Sequence, residues 1–243
     1  MKTTVAVILV AGVGSRLRPI TDDRPKALVD LGVETILGRA VRLLTDYGVG
    51  KIVLATGYRE DAVRTAMQGA SPTVLYCRNP EFDRTQNSVS LALCRNALAD
   101  GAFFKLDGDV VFGRQVLERL DASSAQLAVA VDAGRMLDAE AMKVTVSGSD
   151  IRSFGKGIEL AASAGESIGI ERILAPAAAP LFDALDAAIA GGESNLYYED
   201  VYSRLIAAGR LRAQAVPVGD LPWTEVDDFS DLERARELVR NEP

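Results

Sequence analysis

The stretch VAVILVAGVGSRL, residues 5–17, decides the fold. Its first six residues are apolar and rich in β-branched side chains, which predicts a strand buried on both faces of a parallel sheet. Gly12 and Gly14 then predict a turn whose backbone N–H groups can approach a phosphate closely. Ser15 adds a hydroxyl, and Arg16 and Lys26 add positive charge where a triphosphate would lie.

The glycine spacing by itself leaves a plainer interpretation open. No Gly-Lys-Ser/Thr follows the turn, so it is not a Walker A loop, and the third glycine of a dinucleotide-binding fingerprint is missing. A lone Gly-x-Gly fits an ordinary strand-to-helix turn with surface charges about as well as it fits a phosphate site.

Outward from this stretch, apolar runs alternate with amphipathic segments. The predicted strands are 51–55, 73–76, 102–106, 127–131, 143–146, 151–154, 167–173 and 212–216. The predicted helices are 36–47, ending at a Gly48 cap, 59–67, 88–98, 175–190, 199–207 and 230–239. This order predicts an α/β fold, a doubly wound and mostly parallel sheet, with a small mixed β insertion in the middle of the chain.

The domain prediction is a single unit, 1–243. Ligands of doubly wound sheets bind at the carboxyl ends of the strands. The glycine turn and the acidic triplet Asp107-Gly108-Asp109 both follow predicted strands, so we expect them to meet at one edge.

Composition excludes several function classes. The chain has no histidine, which removes Ser-His-Asp triads, histidine metal sites and imidazole bases. A formal charge of −7 argues against nucleic-acid binding, and the apolar run 5–10 is too short to span a membrane. Two cysteines 17 positions apart are no disulfide framework, which favours a cytoplasmic location.

Residues 11–21 (AGVGSRLRPIT) with Pro25-Lys26-Ala27-Leu28 resemble the N-terminal signature of the nucleotidyltransferases that activate sugar phosphates and phospho-alcohols. The resemblance implies their Rossmann-like, GT-A-like fold. It further implies that the single domain has a nucleotide-binding part at about 1–131 and an acceptor-binding part at about 132–227. It also implies that Ala11 and Gly12 lie near the base, and that the NTP phosphates are held by Gly12, Gly14, Ser15, Arg16 and Lys26. Arg16 and Lys26 are thereby the predicted catalytic residues.

In the same family, a Gly-Asp pair and a Trp-x-Glu-x-Asp segment each supply one ligand to Mg²⁺, which prefers oxygen donors. The resemblance implies Asp109 and Asp227 for these roles, with Asp107 beside the nucleotide, as a second ligand or as an acceptor contact. The alternative is that Asp107 and Asp227 cap a turn and a helix, which is the role expected for Asp228.

Chemistry without histidine is possible because the acceptor phosphate is itself the nucleophile. A phosphate monoester is largely ionised at neutral pH, its second pKa being about 6. It can attack the α-phosphorus of an NTP in line and displace pyrophosphate with no general base. Positioning and charge neutralisation then lower the barrier.

Residues 85–91 (TQNSVSL) resemble a segment of cytidylyltransferases that act on phosphocholine, inositol phosphate or aminoethylphosphonate, although Gln86 replaces an asparagine. The resemblance implies CTP as donor and places Gln86, Asn87 and Ser88 by the nucleotide. A helix cap is the plainer alternative for this segment. The acceptor is expected to meet a phosphate-gripping lysine and an aromatic, acidic pocket for a cationic or polyol head group; these residues are Lys156, Tyr198, Glu199, Asp200 and Trp223.

Three other functions stay open at this point. The first is a sugar-1-phosphate nucleotidyltransferase that uses UTP, dTTP or GTP. The second is a catalytically silent, nucleotide-binding regulatory subunit, although the basic and acidic residues that such a protein would lose are present. The third is a GTP-dependent enzyme of cofactor assembly. The sequence predicts a monomer or a homodimer.

Overall fold

The computed structural model describes residues 2–98 and 101–241. Its strands are β1 (Val5–Val10), β2 (Lys51–Thr56), β3 (Thr73–Arg78), β4 (Phe103–Asp107), β5 (Val110–Phe112), β6 (Leu127–Asp132), β7 (Lys143–Ser147), β8 (Asp150–Gly155), β9 (Gly165–Ile173), β10 (Ala213–Pro217) and β11 (Trp223–Glu225). Its α-helices are α1 (Ile36–Tyr47), α2 (Glu60–Ala66), α3 (Asn87–Ala92), α4 (Arg95–Leu98), α5 (Gln115–Ala122), α6 (Ala175–Ala190), α7 (Tyr198–Ala207) and α8 (Phe229–Arg240).

Nine strands form one mixed sheet in the order β3-β2-β1-β4-β9-β6-β10-β8-β7. The first four run parallel, as expected for strands joined through helices. The long strand β9 lies antiparallel between β4 and β6, and β10 pairs parallel with β6. The strands predicted as a mixed β insertion are therefore continuous with the parallel half of the sheet.

Helices cover both faces of the sheet, which confirms the doubly wound α/β class. One buried core lies under α1, α2 and α5, and contains Leu37, Val63 and Leu117. The other lies under α3, α6 and α7, and contains Leu91 and Phe182. A smaller cluster packs α8 against the segment that follows the glycine turn.

Helix ends follow their local chemistry. Thr35 caps α1 by accepting from the Gly38 N–H, and α1 ends at Gly48 in the left-handed conformation (φ 111°), as predicted. Asp228 caps α8 by accepting from the N–H groups of Ser230 and Asp231, so it is a structural residue as predicted.

Two details differ from the sequence prediction. The helix expected over 88–98 is interrupted, because Cys94 N–H bonds to Leu91 O and Ala97 N–H to Cys94 O in tighter i to i−3 turns between α3 and α4. The short ribbon of β5 and β11, and the helix α5, were not predicted. In the part of the chain that the structure describes, no helix is both long enough and apolar enough to cross a membrane.

Candidate active site

A cavity of about 340 Å³ opens at the carboxyl ends of β1 and β4. This is the edge where the sequence predicted a ligand site. Nine of the predicted site residues line it: Ala11, Gly12, Lys26, Gln86, Asn87, Asp107, Asp109, Lys156 and Glu199. The predicted residues outside its lining are Gly14, Ser15, Arg16, Ser88, Tyr198, Asp200, Trp223 and Asp227.

The glycine turn leaves space for the side chain of Lys26. Gly14 adopts the left-handed conformation (φ 73°), and a Cβ placed on it would lie 2.6 Å from the Lys26 Cβ. The Thr21 hydroxyl donates to the Gly14 carbonyl at 2.8 Å and fixes the bend. Glycine is thus required at this position both by the backbone angle and by the space that Lys26 fills.

Lys26 joins the two predicted metal ligands. Its ammonium lies 2.7 Å from Asp109 Oδ2 and 2.5 Å from Asp227 Oδ1, while Arg16 lies 2.8 Å from Asp227 Oδ2. Burial disfavours the Lys26 cation, but the two aspartates outweigh it and raise the Lys26 pKa. Burial likewise opposes the Asp227 anion, yet Lys26 and Arg16 hold the pKa of Asp227 below its usual range. Lys26 and Asp227 are therefore both ionised at neutral pH.

The unpredicted ribbon explains how residues so far apart in sequence meet. β11 pairs antiparallel with β5, so that Glu225 lies opposite Val110. The Val226 N–H donates to the Asp109 carbonyl at 3.0 Å, which holds the two acidic segments side by side. The Asp227 N–H donates to Asp231 at 2.9 Å, so α8 also anchors this segment.

A third carboxylate, Glu225, belongs to this site, although no role was predicted for it. Oxygen atoms of Asp109, Glu225 and Asp227 lie within 4.8 Å of one another. Glu225 is an exposed residue, but partial loss of solvation at its carboxyl, followed by repulsion from Asp109 and Asp227, shifts its pKa upward. No signal in the sequence pointed to this role, because the ribbon that places Glu225 beside Asp109 forms only through tertiary pairing.

Behind the cavity lies a set of residues that we call the buried charge cluster: Lys105, Asp107, Glu171, Tyr198 and Glu199. The Lys105 ammonium is fully buried, 3.0 Å from Asp107 and 3.2 Å from Glu171. The Tyr198 hydroxyl donates to Asp107 at 2.7 Å. Lys105 and Glu171 were missed, although a charged residue within an apolar strand marks each (FFKLD and SIGIERI).

Burial is the main cause of the unusual acidities in the buried charge cluster. It raises the pKa of Glu199 to about 8 and that of Glu171 to about 7, with Lys105 opposing both shifts. Gly169 leaves the room for Asp107, because a Cβ there would lie 2.4 Å from Asp107 Oδ2.

The segment predicted to bind the nucleotide is fixed by hydrogen bonds to the start of α7 and to the loop that precedes it. Asn87 Oδ1 accepts from the N–H of Tyr198 at 3.0 Å, so Asn87 caps α7 instead of its own helix. The Gln86 N–H donates to the Ser194 carbonyl at 2.9 Å. Gln86 itself lines the cavity. Ser88 is buried and does not line the cavity.

The residues predicted for the acceptor divide into those that line the cavity and those that do not, the latter being Tyr198, Asp200 and Trp223. Lys156 and Glu199 line the cavity; Lys156 forms an ion pair with Glu140 at 3.0 Å. Asp200 accepts from the Tyr197 N–H at 2.8 Å and serves as a helix cap. Trp223 is buried outside the cavity, where its indole N–H donates to Asp132 at 2.8 Å. Asp200 and Trp223 therefore make structural contacts and do not line the cavity in which the acceptor pocket was predicted.

The family model described as MobA-like NTP transferase domain matches residues 6–215. A CMP-5'-(3-aminopropyl)phosphonate synthase of Streptomyces rubellomurinus is 34% identical over 95% of this chain, and the chain spans 38% of that protein's length. A choline-phosphate cytidylyltransferase of Streptococcus pneumoniae is 24% identical over 98% of this chain and 99% of its own. The structure of the inositol-1-phosphate CTP transferase from T. maritima shares the fold, with a TM-score of 0.83 at 19% identity over 100% of this chain and 99% of that one.

Proposed function

Because this chain belongs to the family of MobA-like NTP transferase domains, we propose that it transfers CMP from CTP to a small phosphorylated alcohol or a phosphonate, with release of pyrophosphate. That it is a nucleotidyltransferase follows from the family and its named relatives. The observation that carries the proposal is the contact of Lys26 with both Asp109 and Asp227, beside the glycine turn.

The phosphates of CTP would lie along the glycine turn. Gly12 borders open space, since a Cβ there would meet no atom of the described residues within 4 Å. Backbone N–H groups in such a turn bind anions, and Arg16 and Lys26 bring positive charge to the same side. The base would lie against Ala11 and the segment that contains Gln86 and Asn87, which line the same cavity.

Asp109, Asp227 and the unpredicted Glu225 would hold Mg²⁺. Their oxygen atoms lie within 4.8 Å of one another. Asp109 Oδ1 is buried, and among the described residues it has no hydrogen-bond partner. Carboxylates of this kind fit a hard cation that also takes phosphate oxygens and water. When bound, Mg²⁺ would neutralise charge on the phosphates of CTP.

The residues of the chain would then position the reactants. Lys156, at the cavity wall, would bind the phosphate or phosphonate of the acceptor and orient one oxygen toward the α-phosphorus. The acceptor oxygen forms the new P–O bond as the bond to pyrophosphate breaks, and no proton has to be removed because the attacking group is already ionised. Lys26 and Arg16 would stabilise the negative charge that develops on the pyrophosphate. A CTP-consuming enzyme with two free thiols fits the cytoplasm.

The test is a matrix of four NTPs against phosphocholine, aminoethylphosphonate, inositol phosphate and glucose 1-phosphate, with pyrophosphate release as readout. We expect turnover with CTP and Mg²⁺, and none after chelation of the metal. Turnover confined to UTP, dTTP or GTP with the hexose phosphate would support a sugar-1-phosphate nucleotidyltransferase instead. A protein that binds nucleotides but releases no pyrophosphate in any combination would be a silent regulatory subunit.

Two aspartates near the metal site provide a matched pair of variants. Asp109→Asn removes a proposed metal ligand, whereas Asp228→Asn changes a residue that only caps α8. We expect the first variant to lose at least a hundredfold in kcat and the second to keep most of its activity. Equal activities of the two variants would contradict the role of Asp109.

A further inference from the structure

A serine on the cavity wall has a buried hydroxyl to which the described residues, 2–98 and 101–241, offer no hydrogen bond. Ser167, on β9, lines the cavity and is only 6% exposed. Its N–H donates to the Met142 carbonyl at 2.8 Å, but its Oγ is without a partner in those ranges. A buried polar atom that is left unpaired costs free energy, and the large majority of such atoms in proteins are paired. The place of Ser167 on the cavity wall makes a bound ligand the source of the missing partner.

The register of the strands places Ser167 between the lysine proposed for the acceptor and the acidic triplet of the metal site. β7 pairs with both β8 and β9, and Lys143 on β7 lies opposite the residues that directly precede Lys156 and Ser167. In the other direction along β9, Gly169 packs against Asp107, since a Cβ on Gly169 would lie 2.4 Å from Asp107 Oδ2. A group that bridges Lys156 and the metal site would therefore pass Ser167.

The hydrogen-bond donors of this wall indicate which group Ser167 would bind. In the part of the wall that residues 140–199 form, the ammonium and hydroxyl donors belong to Lys156, Ser167 and Tyr197. The Lys156 ammonium lies 5.2 Å from the centre of the Tyr197 ring, so these two donors are neighbours. The Glu140 carboxylate, 3.0 Å from Lys156, is 67% exposed, so that its exchange for a ligand anion costs little. An ionised phosphate or phosphonate accepts hydrogen bonds and matches this set of donors.

We propose that the Ser167 hydroxyl donates a hydrogen bond to the phosphate or phosphonate of the acceptor and, together with Lys156, orients the oxygen that attacks CTP. This inference rests on the proposed function and adds a residue to its acceptor site. Rotation of the serine χ1 to another staggered position would bring the buried Oγ to the cavity. Hydrogen bonds to ionised groups are about twice as strong as those between neutral groups. Ser167 would contact the group that all acceptors of this reaction share, whatever their head group.

The first test compares Ser167→Ala with Ser203→Ala. The Ser203 Oγ accepts from the Phe154 N–H at 2.9 Å, and Ser203 does not line the cavity, so its hydroxyl is paired within the protein. We expect Ser167→Ala to keep or exceed the Tm of the wild type and to lower kcat/KM for the acceptor at least tenfold, with KM for CTP changed less than twofold. Ser203→Ala should show the reverse pattern, a Tm lower by about 2–4 °C and unchanged kinetics.

Three results of this comparison would overturn the inference. Unchanged kcat/KM for the acceptor in Ser167→Ala would show that the acceptor does not contact the hydroxyl. A loss of Tm equal to that of Ser203→Ala would show that the hydroxyl is already paired in the free protein. A raised KM for CTP, with the acceptor unaffected, would assign Ser167 to the nucleotide.

The second test determines which end of the acceptor Ser167 contacts. Methylphosphonate has the anionic group of the acceptor and no head group, and it is used as a competitor of the acceptor. We expect its inhibition constant to be at least tenfold higher in Ser167→Ala than in the wild type and unchanged in Ser203→Ala. An inhibition constant that stays the same in Ser167→Ala would place Ser167 at the head group and contradict the inference.

The wild-type protein separates failure of this inference from failure of the proposed function. If the wild type releases no pyrophosphate with any NTP and acceptor, the proposed function is refuted and the inference with it. If the wild type turns over an acceptor and Ser167→Ala does so with the same kcat/KM, the inference alone is overturned.

Discussion

Replacing Lys26 by methionine would remove the cation between Asp109 and Asp227 while keeping most of the side-chain volume. The ammonium makes two short charge-assisted contacts, of 2.7 and 2.5 Å. Removal of one preorganised charge from a reaction centre costs about 2.7–4 kcal/mol of transition-state stabilisation. We therefore expect kcat to fall by about 10²–10³ in Lys26→Met, with a smaller change in KM.

The same substitution should lower the free energy of unfolding. Breaking a fully buried ion pair costs about 3–5 kcal/mol, and an exposed pair contributes at most about 1 kcal/mol. The Lys26 side chain is 13% exposed and both aspartates are 25% exposed, so we expect an intermediate loss of about 2 kcal/mol. In a chain of 243 residues this corresponds to a Tm lower by about 4–8 °C.

Magnesium should restore part of that stability, because the three carboxylates would then share a different cation. The assay is thermal unfolding with and without Mg²⁺, combined with steady-state kinetics on the wild type and on Lys26→Met. Lys51→Met is the matched control, since the Lys51 ammonium donates to the Ala97 carbonyl at 2.8 Å and does not line the cavity. A kcat within threefold of the wild type, or an equal gain in Tm on addition of Mg²⁺ to both proteins, would refute the reasoning.

Three further predictions concern positions around the same cavity. Gly14→Ala should lower the free energy of unfolding by at least about 1 kcal/mol and reduce activity, because the new Cβ would meet Lys26 and the φ of this residue is positive. Denaturant titration measures the stability and steady-state kinetics the activity. Wild-type values for both would contradict this prediction. Trp223→Phe should lose about 1–2 kcal/mol of stability because its hydrogen bond to Asp132 is lost, yet its preference among acceptors should not change. A changed preference would show that Trp223 contacts the acceptor. Glu199→Gln should have the same Tm as the wild type near pH 5 and a higher Tm at pH 9. The reason is that a carboxyl whose pKa in the folded state is raised to about 8 contributes stability at low pH that is lost as the pH rises through that value. Parallel curves of Tm against pH would disprove the shift.

The sequence allowed the architecture to be predicted because its local signals were strong. Apolar runs of five or six residues, amphipathic segments between them and a glycine at the end of α1 reproduce the alternation of strands and helices. The location of the site followed from two polar segments that come directly after buried strands. None of these inferences required knowledge of long-range contacts.

The details that escaped prediction depend on tertiary structure. β5 and β11 have three residues each, too few for a periodic pattern, and pairing alone makes them strands. Trp223 can face a pocket or the core equally well in a linear pattern, and its partner Asp132 is 91 positions away. Glu225 became a candidate ligand only when the ribbon placed it beside Asp109.

The ribbon also brings in the part of the site that is synthesised last. β10, the last strand of the nine-stranded sheet, ends at Pro217, whereas Glu225 and Asp227 follow it. A nascent polypeptide that has reached residue 217 thus holds every strand of the large sheet but only one of the three clustered carboxylates. A product that terminated at residue 217 would therefore lack Glu225 and Asp227, and with them most of the proposed metal site.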